Sequence, residues 1–141
     1  MISKTLAIAA LLASAAAHAG AGPYTPEAVA VAHQLAADVH GGMGRVADTG
    51  SMEPTLTHRD IVVFAPGIEP RVGDIIVFRQ GGTVVCHRII EKAGEWLVTQ
   101  GDHNKSHDPA VKAGQLIGVV VKVVDGKTGE VRGYNNTPVS P

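Results

Sequence analysis

The chain contains a single cysteine, Cys86, among its 141 residues. One cysteine excludes an intramolecular disulfide framework and a zinc site built from several thiolates. A catalytic thiol remains conceivable because His87 is the next residue. Adjacent residues of a strand point to opposite faces, however, so these two side chains should diverge. We therefore expect Cys86 to act as a small buried apolar residue.

An excess of one charge is also lacking. The chain has 12 Lys and Arg residues against 13 Asp and Glu residues, and its formal net charge is -1. Without a basic excess we expect no nucleic-acid partner. Aromatic residues make up only 4% of the sequence, whereas Val and Ile recur in short runs. This balance favours a β-rich body, and the length suits one domain with a modest core.

Residues 1–19 have the pattern of an export signal. Lys4 supplies a positive charge, residues 5–17 are apolar, and Ala17-His18-Ala19 offers the small residues that signal cleavage needs. The apolar run is shorter than the ~20 residues that cross a bilayer as a helix. We predict a cleaved signal peptide, with an uncleaved anchor as the alternative because no charge appears between Lys4 and Glu27. Either would place the body outside the cytoplasmic membrane, periplasmic or extracellular, and membrane association is an option.

Residues 20–45 are predicted to form a linker and one amphipathic helix. Thr25-Pro26-Glu27 is a favourable helix start, with a capping hydroxyl, a proline in the first turn and an early acid. Apolar residues recur at helical spacing, namely Ala28, Val31, Ala32, Leu35 and Val39. Gly41-Gly42 should end the helix. We expect the apolar stripe to pack against the core.

Residues 46–125 change to short β-branched runs separated by turn residues. The predicted strands cover residues 61–64, 74–78, 83–90, 96–100 and 116–124. Gly81-Gly82 predicts a two-residue hairpin. Closely spaced strands without intervening helices predict a mainly β fold, with antiparallel sheets or a partly closed barrel. Residues 126–141 are polar and are expected to be a frayed tail.

Two segments carry reactive side chains that a plain core strand would not need. In TGSMEPTL, Gly50 and Pro54 place Ser51 at a bend, where an exposed hydroxyl near free N–H groups suits acyl transfer. In VVCHRII, His87 lies among apolar neighbours on one strand face. Taken alone, the two segments are better explained by a structural turn and a satisfied core histidine.

A third segment, QGDHNKSHDP, is a polar loop after a predicted strand. It contains two carboxylates, Asp102 and Asp108, six positions apart. By itself the loop is explained as a solvated turn whose Asx residues cap backbone groups.

Five segments in this order resemble the sequence boxes of the signal peptidase I family, peptidase family S26. They are TGSMEPTL, VGDIIVF, HRII, TQGDHNKSHD and IGVVV, and they lie within residues 49–124. The similarity is to the archaeal and endoplasmic-reticulum-type branch, because the bacterial branch has a lysine base where this chain has His87. The resemblance implies a mostly antiparallel β fold. It also implies a serine endopeptidase that cleaves exported preproteins with small residues at the first and third positions before the cut.

The resemblance also implies roles for individual residues. Ser51 would be the nucleophile and His87 its general base, with Asp108 and Asp102 as the acids of the site. The Ser51 N–H and the Thr49 hydroxyl would form the oxyanion hole, and no metal or cofactor is implied. Because a proline follows Asp108 and favours an extended backbone there, we expect Asp108 to orient His87 and Asp102 to support the loop.

Three features depart from the family pattern. Family members usually carry a clear transmembrane anchor, whereas the apolar run here is short and ends in a cleavage-like site. Asp48 precedes the serine box, where the family tends to be apolar. The body is minimal, without an added substrate-binding domain. A secreted or periplasmic processing enzyme would fit the same residues.

Three alternatives remain open. The first is a catalytically silent binding module with a peptidase-like body. The second is a metal site built from imidazoles and carboxylates, namely His87, Asp102, His103, His107 and Asp108. The third is a peptidase of the self-cleaving repressor type, which normally uses a lysine base; no lysine is expected in the strand of His87.

Overall fold

The computed structural model describes residues 24–133, and this part of the chain begins with one helix. The predicted signal or anchor, residues 1–19, and the end of the predicted tail lie outside that range. Helix α1, Pro26–Asp38, starts as predicted, because the Thr25 side chain accepts a hydrogen bond from the Ala28 N–H at 3.1 Å. No helix in the described range is long and apolar enough to cross a membrane.

Eight strands follow α1 in the described part of the chain, and all pair in one antiparallel sheet. Their bounds are β1 Gly42–Arg45, β2 Asp60–Ala65, β3 Ile75–Gln80, β4 Thr83–Ala93, β5 Trp96–Gln100, β6 Val111–Lys112, β7 Leu116–Asp125 and β8 Val131–Gly133. The order is β1-β2-β7-β3-β4-β5-β6, with β8 paired to β7. The predicted mainly β, antiparallel fold with one helix is therefore confirmed. The sheet is open, because its end strands β1 and β6 do not pair to close a barrel.

The five predicted strands correspond to β2, β3, β4, β5 and β7. The hairpin at Gly81-Gly82 is confirmed, since Gln80 of β3 pairs with Thr83 of β4. The three short strands β1, β6 and β8 were not predicted, because none is long enough to show an alternating pattern. The structure also differs from the expected frayed tail at residues 131–133, which pair with β7.

The first face of the sheet packs against α1. Ile61 and Val63 of β2 are fully buried beneath the small helix residues Ala28, Ala32 and Ala36. The apolar stripe of the helix therefore packs against the core, as expected from its spacing.

The opposite face of the sheet holds the loop that carries Ser51. Met52 and Leu56, each 1% exposed, pack there against Val62 and Phe64 of β2. Burial of a Met or Leu side chain contributes roughly 1.5–3 kcal/mol to stability. Two such anchors fix the loop between β1 and β2 on the sheet.

Cys86 lies on β4 opposite Val77 and packs against this second face. Burial raises the pKa of the Cys86 thiol to about 12, so it stays protonated near neutral pH. His87 pairs with Ile76 and points to the other face of β4. Cys86 packs against the core as a small apolar residue, as expected, but it is only partly buried.

Candidate active site

Ser51 lies at a bend in the loop between β1 and β2. The preceding Gly50 has a φ of 74°, a left-handed conformation that a residue with a Cβ rarely adopts. Ser51 is partly exposed, whereas the next residue, Met52, is buried. The loop therefore presents the hydroxyl to solvent while its neighbour holds the backbone in place.

His87 of β4 connects Ser51 to a carboxylate. Its Nε2 atom lies 3.1 Å from Oγ of Ser51, and its Nδ1 atom lies 2.7 Å from Oδ2 of Asp108. The His87 side chain is 11% exposed, and that of Asp108 is 15% exposed. Three residues from distant parts of the sequence thus form one hydrogen-bonded chain of hydroxyl, imidazole and carboxylate.

Asp108 is held by strand β5. Its backbone N–H donates to the Thr99 carbonyl at 2.8 Å, and the Thr99 hydroxyl donates to Oδ2 of Asp108 at 2.8 Å. Thr99 is fully buried. Sequence reasoning missed this residue, although a hydroxyl two positions after the inward-facing Leu97 was a signal that β5 faces a polar partner.

Asp102 lies in the same loop as Asp108 but binds different partners. Arg88 donates to both of its oxygens, at 2.8 and 2.7 Å, and the Thr55 hydroxyl donates at 2.5 Å. Burial alone would raise the pKa of Asp102, but the hydrogen bonds from Arg88 and Thr55 outweigh it and lower that pKa. Arg88 and Thr55 were not predicted as site residues. Through them, Asp102 ties the serine loop, residues 46–59 between β1 and β2, to β4.

Gly101 allows the acid loop, residues 101–110 between β5 and β6, to approach the serine loop. A Cβ atom at this position would lie 2.6 Å from the Ser51 carbonyl oxygen and 3.0 Å from Nε2 of His87. Two residues later, the His103 N–H donates to the Ser51 carbonyl at 2.8 Å. The backbone of the acid loop therefore contacts Ser51 directly, and a Cβ atom does not fit at the point of contact.

Thr49, the other predicted oxyanion residue, lies beside Ser51. The Thr49 hydroxyl donates to Oγ of Ser51 at 3.1 Å, and the Ser51 N–H donates to Oγ1 of Thr49 at 3.2 Å. The Thr49 hydroxyl and the Ser51 N–H thus both lie next to Oγ of Ser51, on an exposed part of the loop.

The structure argues against the predicted metal alternative. Within residues 24–133, no group of three or more His, Cys, Asp and Glu side chains could hold a metal ion. His87 and Asp102 are engaged as described above, and Nδ1 of His107 contacts the backbone carbonyl of Asp108 at 2.9 Å. Four of the five residues lie within residues 102–108, but the five do not form one coordination site.

The expectation that the His87 strand lacks lysine is wrong, because β4 extends to Ala93 and includes Lys92. Lys92 nevertheless lies five residues from His87, about 16 Å along an extended strand. Its ammonium contacts the Glu69 carboxylate at 3.1 Å and the Pro70 carbonyl at 3.0 Å. Lys92 is therefore not the base beside Ser51.

A groove of about 490 Å³ runs past Ser51 and His87. Its floor is apolar and includes Met52, Val62, Phe64, Val77 and Cys86. Its rims are residues 44–47, at the end of β1, and residues 83–85 of β4. Strand β5 pairs with β4 only from Arg88 onwards, so in the described chain the preceding part of this β4 edge has no strand partner. Extended peptides can bind beside an unpaired strand edge of this kind.

Comparison with known proteins identifies the family. The family model described as Peptidase S24-like matches residues 13–124, a range that contains Ser51, His87 and Asp108. No curated protein and no solved structure matches the chain. The chain belongs to the Peptidase S24-like family, and this membership supports a serine-type peptidase function.

Proposed function

We propose that the protein is a serine endopeptidase of the signal-peptidase type, which cleaves signal peptides or similar exported precursors after small residues. The observation that carries this proposal is the chain of contacts from Ser51 through His87 to Asp108, at 3.1 and 2.7 Å. Family membership supports the serine-type chemistry, and the sequence boxes that resemble signal peptidase I support the finer assignment.

The proposed reaction begins with attack of the Ser51 hydroxyl on a peptide carbonyl. Nε2 of His87 accepts the hydroxyl proton during the attack, since a serine is a poor nucleophile without a base. Asp108 holds the imidazole through Nδ1 and stabilises the imidazolium. His87 then donates the proton to the leaving amine, and a water molecule, activated in the same way, hydrolyses the acyl-enzyme.

The Ser51 N–H and the Thr49 hydroxyl are the proposed oxyanion donors. Without substrate, the Ser51 N–H donates to Oγ1 of Thr49 at 3.2 Å. In the proposed complex, this N–H would donate to the carbonyl oxygen of the substrate instead. Each donor of this kind contributes roughly 3–4 kcal/mol to stabilisation of the transition state.

The groove supports an extended conformation of the proposed substrate. A peptide that adds beside residues 83–87 of β4 would place alternate side chains on the same side. The first and third residues before the cut would then both face the apolar floor. Since residues 1–19 of the chain have the pattern of an export signal, we place the enzyme and its precursors outside the cytoplasmic membrane.

A peptide-cleavage assay tests the proposal. Purified protein is incubated with a synthetic signal peptide that ends in Ala-x-Ala and continues into a short mature segment, and the products are identified by mass spectrometry. We expect one cut after the second alanine and none with the Ser51→Ala protein. A matched peptide with leucine at both positions should remain intact. No cleavage by a folded wild-type protein would instead favour a catalytically silent binding module.

A further inference from the structure

Thr99 occupies an unusual position for a hydroxyl group. It lies on β5 opposite Ile89 of β4 and is fully buried. Because residues opposite each other in an antiparallel pair share a face, Thr99 lies on the face of β4 that carries both Ile89 and His87. A buried hydroxyl requires a hydrogen-bond partner, and the surrounding apolar side chains supply none.

The partner of Thr99 is Asp108. The hydroxyl donates to Oδ2 at 2.8 Å, and the Thr99 carbonyl accepts the Asp108 N–H at 2.8 Å. An ionised carboxylate can only accept hydrogen bonds, so the direction of the side-chain bond is fixed. Strand β5 therefore holds the acid at its backbone and at its side chain.

Both donors to the carboxylate meet on one oxygen. Oδ2 accepts the Thr99 hydroxyl at 2.8 Å and lies 2.7 Å from Nδ1 of His87. Asp108 belongs to a loop without regular secondary structure between β5 and β6, so its own backbone gives little control over rotation of the carboxylate. The hydroxyl from the rigid strand supplies that control.

We infer that Thr99 is a positioning residue, whose hydroxyl holds Oδ2 of Asp108 in place to fix the orientation of His87. The catalytic part of this inference rests on the proposed peptidase function. The hydrogen-bond part concerns the resting protein alone. The two parts can therefore fail separately.

Two matched pairs of proteins test the inference. The first pair is wild type and Thr99→Val, which keeps the shape of the side chain but lacks its hydroxyl. The second pair is Thr99→Ser and Thr99→Ala, which also differ by the hydroxyl. We expect kcat for the Ala-x-Ala peptide to fall about 10- to 100-fold in the Val and Ala proteins, the loss typical of partners that orient a functional imidazole. KM should change little, because Thr99 does not line the groove. Thr99→Ser should keep kcat within about threefold of wild type, although loss of a buried methyl lowers its Tm.

A spectroscopic readout separates positioning from simple stability. The Nδ1–H proton of His87 should give a low-field NMR resonance in wild type and in Thr99→Ser. It should shift or broaden in Thr99→Val and Thr99→Ala, whether or not the protein cleaves peptides. Equal kcat and an unchanged resonance within both pairs would overturn the inference and reduce Thr99 to a packing residue. If Thr99→Val does not fold, the Ser and Ala pair decides the question. If wild type cleaves nothing, the peptidase proposal fails while the resonance still tests the hydrogen bond.

Discussion

Oγ of Ser51 and Nε2 of His87 are 3.1 Å apart, although 36 positions separate the two residues in the chain. The acid loop holds them together. Its His103 N–H bonds the Ser51 carbonyl, and its Asp102 side chain bonds both Thr55 of the serine loop and Arg88 of β4. The same loop supplies Asp108 to the far side of the imidazole. One irregular loop thus holds Ser51, His87 and Asp108 in their relative positions.

His87→Ala should reduce cleavage of the Ala-x-Ala peptide by on the order of 10⁶, as when members of a catalytic unit are removed singly. His87→Lys should not restore activity, because a lysine side chain is usually protonated near neutral pH and then cannot accept the Ser51 proton. Steady-state kinetics measures both variants. His33→Ala, which changes an exposed histidine of α1, is the control and should behave as wild type. A fully active His87→Ala protein would show that another group is the base.

Asp108→Asn should lower kcat by about 10³–10⁴ with little change in Tm, because an amide holds the imidazole in the wrong tautomer. The contact at stake is the 2.7 Å bond from Nδ1 of His87 to Oδ2. Kinetics and thermal unfolding are measured on the same preparation. Near-normal turnover in Asp108→Asn, with loss of turnover in Asp102→Asn, would exchange the roles of the two acids.

Asp102→Asn should chiefly lower stability. The Asp102 and Arg88 side chains are 16% and 27% exposed, and loss of one member of this pair should cost about 1–2 kcal/mol, or roughly 5 °C in Tm. The pKa of Asp102 is lowered in the folded protein, so its contribution is complete above the unfolded-state pKa of about 3.9 and is lost as pH falls through the lower folded-state value.

The difference in Tm between wild type and Asp102→Asn should therefore be constant from pH 7 to pH 5 and should shrink towards pH 3. Calorimetry across this range measures it. A difference in Tm that grows as pH falls would contradict a lowered pKa of Asp102 in the folded protein. Activity should decrease less than in Asp108→Asn, because Asp102 supports the loop and does not touch the imidazole nitrogens.

Gly101→Ala should inactivate the protein by displacing the acid loop from the nucleophile. The added methyl would lie 2.6 Å from the Ser51 carbonyl oxygen, closer than packed atoms allow, and 3.0 Å from Nε2 of His87, a tight contact. We expect turnover to fall at least about 100-fold, as when catalytic groups are misplaced by around an ångström. Gly114→Ala is the matched control, since a Cβ there meets no atom within 4 Å. Equal activity of both variants would disprove the proposed contact.

Much of the fold could be predicted because its longer elements have local patterns. Helix α1 begins at a capping threonine, Thr25, and the hairpin at Gly81-Gly82 follows from its turn residues. The short strands β1, β6 and β8 could not be predicted. Each forms through pairing with a strand brought beside it by the fold, and two to four residues carry no periodic pattern.

The candidate site divides in a similar way. The resemblance to signal peptidase I pointed to Ser51, His87 and Asp108 before the structure, whereas the bends at Ser51 and Asp108 alone did not distinguish them from structural turns. Thr99 and Thr55 could not be identified from the sequence, because a threonine in a strand or loop is common and its role depends on which carboxylate lies opposite. The prediction that Asp108 orients His87, whereas Asp102 supports the loop, rested on the proline after Asp108. The structure shows that Asp108 contacts His87 and that Asp102 contacts Arg88.

Covalent labelling of Ser51 is the most direct test of the central claim that His87 activates this hydroxyl. Wild-type protein is treated with a small fluorophosphonate, and the modified peptide is identified by mass spectrometry, with Ser51→Ala and Ser106→Ala proteins alongside. We predict one adduct, on Ser51, in wild type and Ser106→Ala, and none in Ser51→Ala. Labelling should be at least about 100-fold slower in His87→Ala, since the hydroxyl then lacks its base. An adduct on another serine, or equal labelling rates with and without His87, would contradict the account.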